Sequence, residues 1–379
     1  MENFVAYVPT QVHFGKGVIK GLGEAVQPYG KKALLMYGKG SVLKNGSYQD
    51  TKDQLVKAGI ELVEYDGIKP NPVKEDVDAA AELGIKNKVD MIVAVGGGSV
   101  IDSAKITAIC IHDNVKSWDV MKRKVNPKGA IPLFSILTLA ATGTEMNCVA
   151  VLQNNATYEK IGYGHVSIYP KASFLDPSYT LSVPANYTAY GIVDLVAHCL
   201  EAYFGAGDAS LSDRFVQSII LEAMEYGPML MKDLSNYDLR ARIMWAATNA
   251  LNGLTSYGRV SGDWAVHGLG HSLSYLYDTP HGASLSIAYP AWLRKIKERD
   301  SERIAHLGEL LFNKKDADAT IKGLENFFIS VGSPVRLSEI GKGIKEKDEI
   351  LRVMNHTMVS GMNYKLSEAD RFEILSGMV

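Results

Sequence analysis

The sequence predicts an α/β domain followed by an all-helical one, and three observations carry that reading. In the first half, short apolar runs alternate with segments of helical period. One of those runs stops at three successive glycines, Gly96 to Gly98, before another helical pattern begins. From Pro184 onward the text is helical almost throughout, rich in Ala, Leu, Met and Glu. A length of 379 residues suits two domains, which we divide at residues 1–181 and 182–379.

In chain order, residues 31–37 (KKALLMY) form a short apolar run ending at Gly38 and predict a buried strand. Residues 47–59 have helical spacing, 61–65 suggest a second strand, and 73–88, rich in Ala, Glu, Lys and Asp, a second helix. Residues 91–95 (MIVAV) and 131–138 complete the set of strands. Continuous apolar strands separated by helices indicate a parallel sheet covered on both faces. In the second half, residues 186–204, 212–230 and 239–252 read as long helices. No internal repeat, low-complexity tract or long flexible linker interrupts the chain.

Composition excludes several classes of function. Hydrophobic residues make up 46% of the chain, enough for a sizeable core, and the formal net charge is -2. Lys and Arg are dispersed, and the one short cluster, at 122–124, reads as a solvated turn. Nucleic acid and anionic membranes, which attract strongly basic faces, are therefore not expected partners. Cys110, Cys148 and Cys199 form no CxxC pair, which argues against a disulfide framework or a thiolate zinc site and suits a reducing cytosol. The N-terminal stretch lacks the basic and apolar blocks of a signal peptide, and no window approaches the ~18 apolar residues of a membrane span. These features predict a soluble cytoplasmic protein.

Two loops suit a phosphate-bearing ligand. In MIVAVGGGSVIDSAK, Gly96, Gly97, Gly98 and Ser99 lie between a buried strand and a helix. Glycine lets a backbone approach a ligand closely, and the new helix offers unpaired N–H groups and a positive dipole end. The motif is neither GxGxxG nor a P-loop with its Lys. The alternative is a tight turn that needs glycine only for sterics. Asp102, one turn on, could orient a ligand amide or sugar, or merely favour the helix start. A second polar loop, from Thr138 and Leu139 to Glu145, also follows a strand. In open α/β sheets ligands bind beyond the carboxyl ends of strands; the competing explanation is a threonine-capped helix start.

The helical half carries the other constellation. Asp194 and His198 are four apart in GIVDLVAHCLEAYF, so a helix projects both from one face. His267 and His271 are four apart in DWAVHGLGHSLSY, and His281 follows between Pro280 and Gly282. Carboxylate and imidazole together suit a divalent first-row metal such as Fe, Zn, Mn or Ni. A single such pair is more often a hydrogen-bonded core pair; two pairs and a further His in one domain favour metal. Spacing does not choose between His267 and His271 as ligands. Trp264, Tyr203 and Phe204 suit either an apolar pocket or the core.

These residues resemble the iron-containing (group III) alcohol dehydrogenases, nearest the NADPH-dependent butanol dehydrogenase and broad aldehyde reductase branch. The matching stretches are FGKG (14–17), KPNP (69–72), GGGSVIDSAK (96–105), ATGTEMN (141–147), the D-x-x-x-H of Asp194 and His198, and H-x-x-x-H…H-G across His267, His271, His281 and Gly282. The resemblance implies a Rossmann-like N-terminal domain and a helical C-terminal domain, in a dehydroquinate synthase-like architecture with a cleft between them. It implies Asp194, His198, His267 and His281 as ligands to a divalent metal, Fe2+ first and Zn2+ or another ion next, with His271 near the substrate. Cofactor contacts carry over onto Gly97, Gly98 and Ser99 for the pyrophosphate, and onto Asn71, Asp102, Thr138, Leu139, Asn147, Lys160 and Tyr179. A homodimer is common among such proteins.

One departure bears on the cofactor. Members that prefer NAD resemble one another in an Asp after the first strand, where it bonds the adenosine ribose. Here the stretch holds Gly38, Lys39, Gly40 and Ser41, with no acid to repel a 2′-phosphate. The expectation is NADP(H) over NAD(H), with Lys39 as counter-charge. The expected function is hydride transfer to or from small uncharged alcohols or aldehydes, the metal acting as Lewis acid on the substrate oxygen and His271 relaying the proton. Dehydroquinate-synthase-like lyases and glycerol dehydrogenases resemble the same plan. A sugar-phosphate substrate calls for Lys and Arg near the metal, and residues 194–204 and 264–282 have none. A non-catalytic nucleotide-binding or metal-sensing protein would keep the glycine loop without needing both i,i+4 pairs and His281.

Overall fold

The computed structural model describes residues 1–379. The chain divides into two compact units. One holds residues 7–183 and 235–248, the other residues 1–6, 184–234 and 249–379.

The first unit is built on a six-stranded parallel sheet in the order β1-β8-β5-β4-β2-β3. Its elements are β1 (Gln11–Phe14), β2 (Lys32–Gly38), α1 (Ser47–Lys57), β3 (Glu61–Ile68), α2 (Lys74–Asn87), β4 (Met91–Gly96), α3 (Gly98–Asp113), β5 (Leu133–Leu137), the antiparallel hairpin β6 (Val149–Asn154) and β7 (Glu159–Gly164), and β8 (Ala172–Leu175). The central strands are apolar without alternation because both faces are covered. Leu35, Val93 and Phe134 enter one core, whereas Leu34, Met36 and Ile92 enter another. After β3 the chain returns to the other side of β2 to form β4, so the sheet's switch point lies between β2 and β4. Gly38, Gly97 and Thr138 each sit at the carboxyl end of one of three adjacent strands, β2, β4 and β5.

The second unit is helical. Its principal elements are α4 (Ala185–Tyr203), α5 (Ser210–Lys232), α7 (Ala265–Tyr277), α8 (His281–Phe312) and α9 (Ala317–Ser330); α6 (Tyr237–Ala250) lies between α5 and α7 in the chain. From Ile192 to Tyr203, α4 is buried on every side, as its nearly uniform apolar text requires. No helix is long and apolar enough to cross a membrane.

Several details differ from the sequence expectations. Strands β1 and β8 and the hairpin β6–β7 were absent from them. Residues 1–6 join the helical unit, where the Glu2 amide donates to the Gly258 carbonyl and Phe4 stacks on Tyr257. Residues 235–248 join the sheet unit: Met244 enters its core, Trp245 meets Phe14 edge-on, and Thr248 donates to buried Glu145. Helical period identifies such a segment as a helix but does not say which core its apolar face enters. Tyr203 and Phe204 are core residues. An Arg303 guanidinium lies 3.6 Å above the Tyr203 ring.

Candidate metal centre

Three helices of the second unit bring the predicted ligands together. Asp194 and His198 lie one turn apart on α4, His267 is in the first turn of α7, and His281 is the first residue of α8. Asp194, His198 and His267 are buried; His281 is half-buried. Oδ1 of Asp194 stands 3.8 Å from Nε2 of His198, 3.9 Å from Nε2 of His267 and 3.7 Å from Nε2 of His281. Asp194, His267 and His281 can each offer a ligand atom within 4.8 Å of the others.

These separations are too long for hydrogen bonds. Tetrahedral ligands at about 2.1 Å from an ion stand about 3.4 Å apart, a few tenths of an ångström less than observed. Oδ1 of Asp194 is buried and accepts no hydrogen bond, a costly arrangement for a carboxylate unless a cation faces it. The mixed oxygen and nitrogen donor set fits a divalent first-row metal.

Glycine allows the helices to approach. A Cβ on Gly282 would lie 2.1 Å from the Tyr190 carbonyl oxygen on α4. One on Gly270 would lie 2.6 Å from the Ser284 hydroxyl of α8. The glycine after His281 is thus a steric requirement for seating the start of α8 on the backbone of α4, one turn from Asp194.

Two buried carboxylates fasten the start of α7. Glu201, two turns after Asp194 on α4, accepts from the backbone amides of Trp264 and His267. It also meets Nδ1 of His267 at 2.8 Å. Burial pushes its carboxyl up to about 7, opposed by the amides of His267 and Trp264. Asp263 accepts from the amides of Ala265, Asn363 and Tyr364, and burial raises its carboxyl to about 6. Between them Trp264 takes a left-handed backbone, φ 66°, with its ring edge-on to His267. The sequence reading missed both acids. Glu201 had a legible signal, since positions 194, 198 and 201 share one face of an otherwise apolar helix. His271, one turn beyond His267, has its ring centroid 5.5 Å from that of His281 and 6.5 Å from that of His267.

In the sheet unit, the proposed cofactor residues fall into two groups. Gly97, extended at φ -84°, precedes α3, and the amides of Gly98 and Ser99 come before the first intrahelical bonds. Thr138 donates its amide to the Gly96 carbonyl, and Leu139 lies close to Gly97. Gly98 is also needed for packing, because a Cβ there would meet Thr142 at 2.6 Å. Gly38 and the exposed Lys39 and Ser41 follow β2.

The second group holds the frame. Asp102 accepts from the Thr144 hydroxyl at 2.6 Å and from the Val151 amide at 2.8 Å. Fully buried Lys105 donates to Thr144, Asn147 and the Val149 carbonyl, and burial lowers its ammonium to about 8 against the pull of Asp102. Asn147 donates to the Gly143 carbonyl and accepts from the Val149 amide. Lys160 on β7 donates to Asn71, whose backbone is left-handed. The buried Tyr179 donates its hydroxyl to Asp50. Nothing in the sequence singles out Lys105 and Thr144 within their motifs for this role.

Comparison with known proteins agrees with this plan. Residues 9–177 match the family model described as iron-containing alcohol dehydrogenase, and residues 188–375 match its C-terminal counterpart. The chain is 37% identical to the probable NADH-dependent butanol dehydrogenase 1 of Bacillus subtilis (strain 168), covering 99% of this chain and 98% of that one. It is 36% identical to the NADPH-dependent aldehyde reductase YqhD of Escherichia coli (strain K12), covering 98% and 100%. The crystal structure of NADH-dependent butanol dehydrogenase A from Thermotoga maritima superposes with a TM-score of 0.96 at 38% identity, covering 100% of this chain and 99% of that chain. With both halves matched and relatives aligned over nearly their full length, the chain belongs to the iron-containing alcohol dehydrogenase family.

Proposed function

We propose that this protein is an NADP(H)-linked alcohol dehydrogenase and aldehyde reductase for small uncharged substrates. Asp194, His198, His267 and His281 hold its divalent metal, Fe2+ first and Zn2+ or another ion next. The observation that carries the reading is the placement of three histidine Nε2 atoms within 3.9 Å of one buried, otherwise unbonded carboxylate oxygen. When bound, a divalent ion there supplies Lewis acidity toward the oxygen of an alcohol or aldehyde, and NADP(H) supplies the hydride donor or acceptor.

The chain's own residues do the rest. The amides of Gly98 and Ser99 bind the pyrophosphate at the start of α3, with Gly97 giving the backbone its close approach. Thr138 and Leu139 border the same loop. Asp102 and Asn147 serve the cofactor chiefly by holding the segment that follows the second loop, and Lys160, Asn71 and Tyr179 are further cofactor contacts. Residues 194–204 and 264–282 carry no Lys or Arg, which favours an uncharged substrate. His271 accepts the proton released in oxidation and returns it in reduction, a task suited to an imidazole.

The relatives' names do not choose the cofactor, since an NADH enzyme at 37% and an NADPH enzyme at 36% are equally near. The stretch Gly38, Lys39, Gly40, Ser41 favours NADP(H), because no carboxylate stands there to repel a 2′-phosphate. Glu64, on neighbouring β3, is engaged by Tyr37, Tyr48 and Lys52. A cytoplasmic homodimer belongs to the same reading, on family grounds.

The test is His271→Ala with metal content measured beside turnover. The expected result is unchanged metal and turnover lower by about 10²-fold; loss of metal would instead place His271 among the ligands. Wild-type protein that binds neither Fe2+ nor Zn2+ and oxidises no NADPH with short aldehydes would defeat the whole reading.

A further inference from the structure

We propose that Glu201 is the positioning residue of the metal centre: through Nδ1 of His267 it fixes the tautomer and aim of that ring, and thereby sets the affinity for the metal. The inference rests on the ligand set proposed above. Glu201 is buried on the same face of α4 as Asp194 and His198, so one helix carries two ligands and the acid that orients a third.

Its bonds are specific to this task. Oε1 meets both the backbone amide of His267, at 3.0 Å, and Nδ1 of the same residue, at 2.8 Å. Oε2 takes the Trp264 amide. When Glu201 is ionised its oxygens only accept, so the Nδ1 contact is an N–H of the ring donating to Oε1. His267 is then the Nδ1–H tautomer, and its lone pair sits on Nε2, the atom that faces Asp194 Oδ1 at 3.9 Å. Main chain and ring of His267 are gripped by one oxygen, which removes the rotation that would turn Nε2 away from the centre. A carboxylate behind a ligating imidazole also raises the basicity of its other nitrogen, and removing such a partner typically costs 10–100-fold in metal affinity.

Asp263 supplies the control. It also braces the start of α7, through the amide of Ala265, and ties it to residues 363 and 364 without touching the imidazole. A role confined to anchoring the helix predicts the same loss of metal from either acid; a role through the ring predicts it from Glu201 alone.

The experiment compares wild type, Glu201→Gln and Asp263→Asn. Affinity for Co2+ is read by competition with a chelator, the visible d–d bands of the Co2+ protein report ligand geometry, and thermal melts of the metal-free proteins report folding. The expected result is a 10–100-fold loss of Co2+ affinity and altered bands in Glu201→Gln, with Asp263→Asn within about threefold of wild type at an equal or larger fall in melting temperature. Equal affinities for Glu201→Gln and wild type would overturn the inference, as would an equal loss in both variants. Should Glu201→Gln not fold, ring 15N spectra of the Zn2+-loaded wild type decide: a protonated Nδ1 on His267 supports the role, and an unprotonated one removes it. Wild type that binds no Co2+ or Zn2+ would instead be a failure of the ligand set itself.

Discussion

At the proposed metal centre the candidate ligand side chains face one another, whereas at the glycine loop the candidate cofactor side chains face the protein. Asp194, His267 and His281 place donor atoms within 4.8 Å of one another, His198 Nε2 stands 3.8 Å from the same Asp194 oxygen, and the work of support falls to Glu201, Asp263, Gly270 and Gly282. Around the glycine loop, Asp102, Lys105, Thr144 and Asn147 bond to each other and to nearby backbone, and the amides of Gly98 and Ser99 come before the first intrahelical bonds. The difference follows from the ligands. A metal ion needs donor atoms that only side chains can aim from three helices. A pyrophosphate is bound by backbone N–H groups at a helix start, so the side chains there are free to hold the backbone still.

The largest effect expected from this contrast is on stability, in Lys105→Met. The substitution keeps the apolar stem and removes the ammonium. It removes the larger of the two lysine charges, Lys105 and Lys160, that act on the buried Asp102 carboxylate, and takes a donor from Thr144, Asn147 and the Val149 carbonyl. Removing one member of a buried charge pair costs about 3–5 kcal/mol. Chemical denaturation should show that loss. A variant of unchanged stability but weakened cofactor binding would break the comparison, by making Lys105 a ligand group and not part of the frame.

An intermediate effect is expected from Gly282→Ala. The added methyl meets the Tyr190 carbonyl oxygen, a backbone atom of a buried helix that cannot swing aside. Overpacking of this kind costs about 1–3 kcal/mol. Because Gly282 follows His281, relief of the clash moves a proposed ligand, and metal affinity should fall together with stability. Elemental analysis beside a thermal melt reads both. Full metal occupancy at wild-type affinity would show that the start of α8 adapts without displacing His281.

Legibility in the sequence follows the same division. The i,i+4 pair Asp194 and His198 needed only a helix to share a face, and α4 delivers it. That α8 seats on α4 was not readable from spacing, because it depends on Gly282 meeting Tyr190, about 90 residues away in the chain, while Gly270 lets α7 approach α8 at Ser284. The long apolar strands β2 and β4 announced themselves, whereas β1 and β8 have four residues each, too short a run to mark a strand by pattern. Hairpin strand β7 includes two glycines in EKIGYG, which mask a strand pattern. Among the cofactor residues, motif position marked Asp102 and Asn147 as contacts of the cofactor, and in the structure they bond to Thr144, Lys105 and nearby backbone. Whether each faces the ligand or the protein depends on Lys105 and Thr144, partners that lie up to 42 positions away.

The smallest effect concerns Lys39, the one charged side chain in the stretch after β2. It is exposed and sits beyond the carboxyl end of a strand next to the switch point, where a ribose phosphate would lie if the pyrophosphate occupies the start of α3. An exposed lysine contributes modestly to binding because water and salt screen it. Lys39→Ala should therefore weaken NADPH by about fivefold and leave NADH unchanged, with the difference shrinking as salt is raised. Fluorescence titrations with both nucleotides at two ionic strengths measure it. Equal loss for the two cofactors would place Lys39 on the shared pyrophosphate, and no loss for either would leave cofactor preference to Gly38, Gly40 and Ser41 through the room they give the 2′-phosphate.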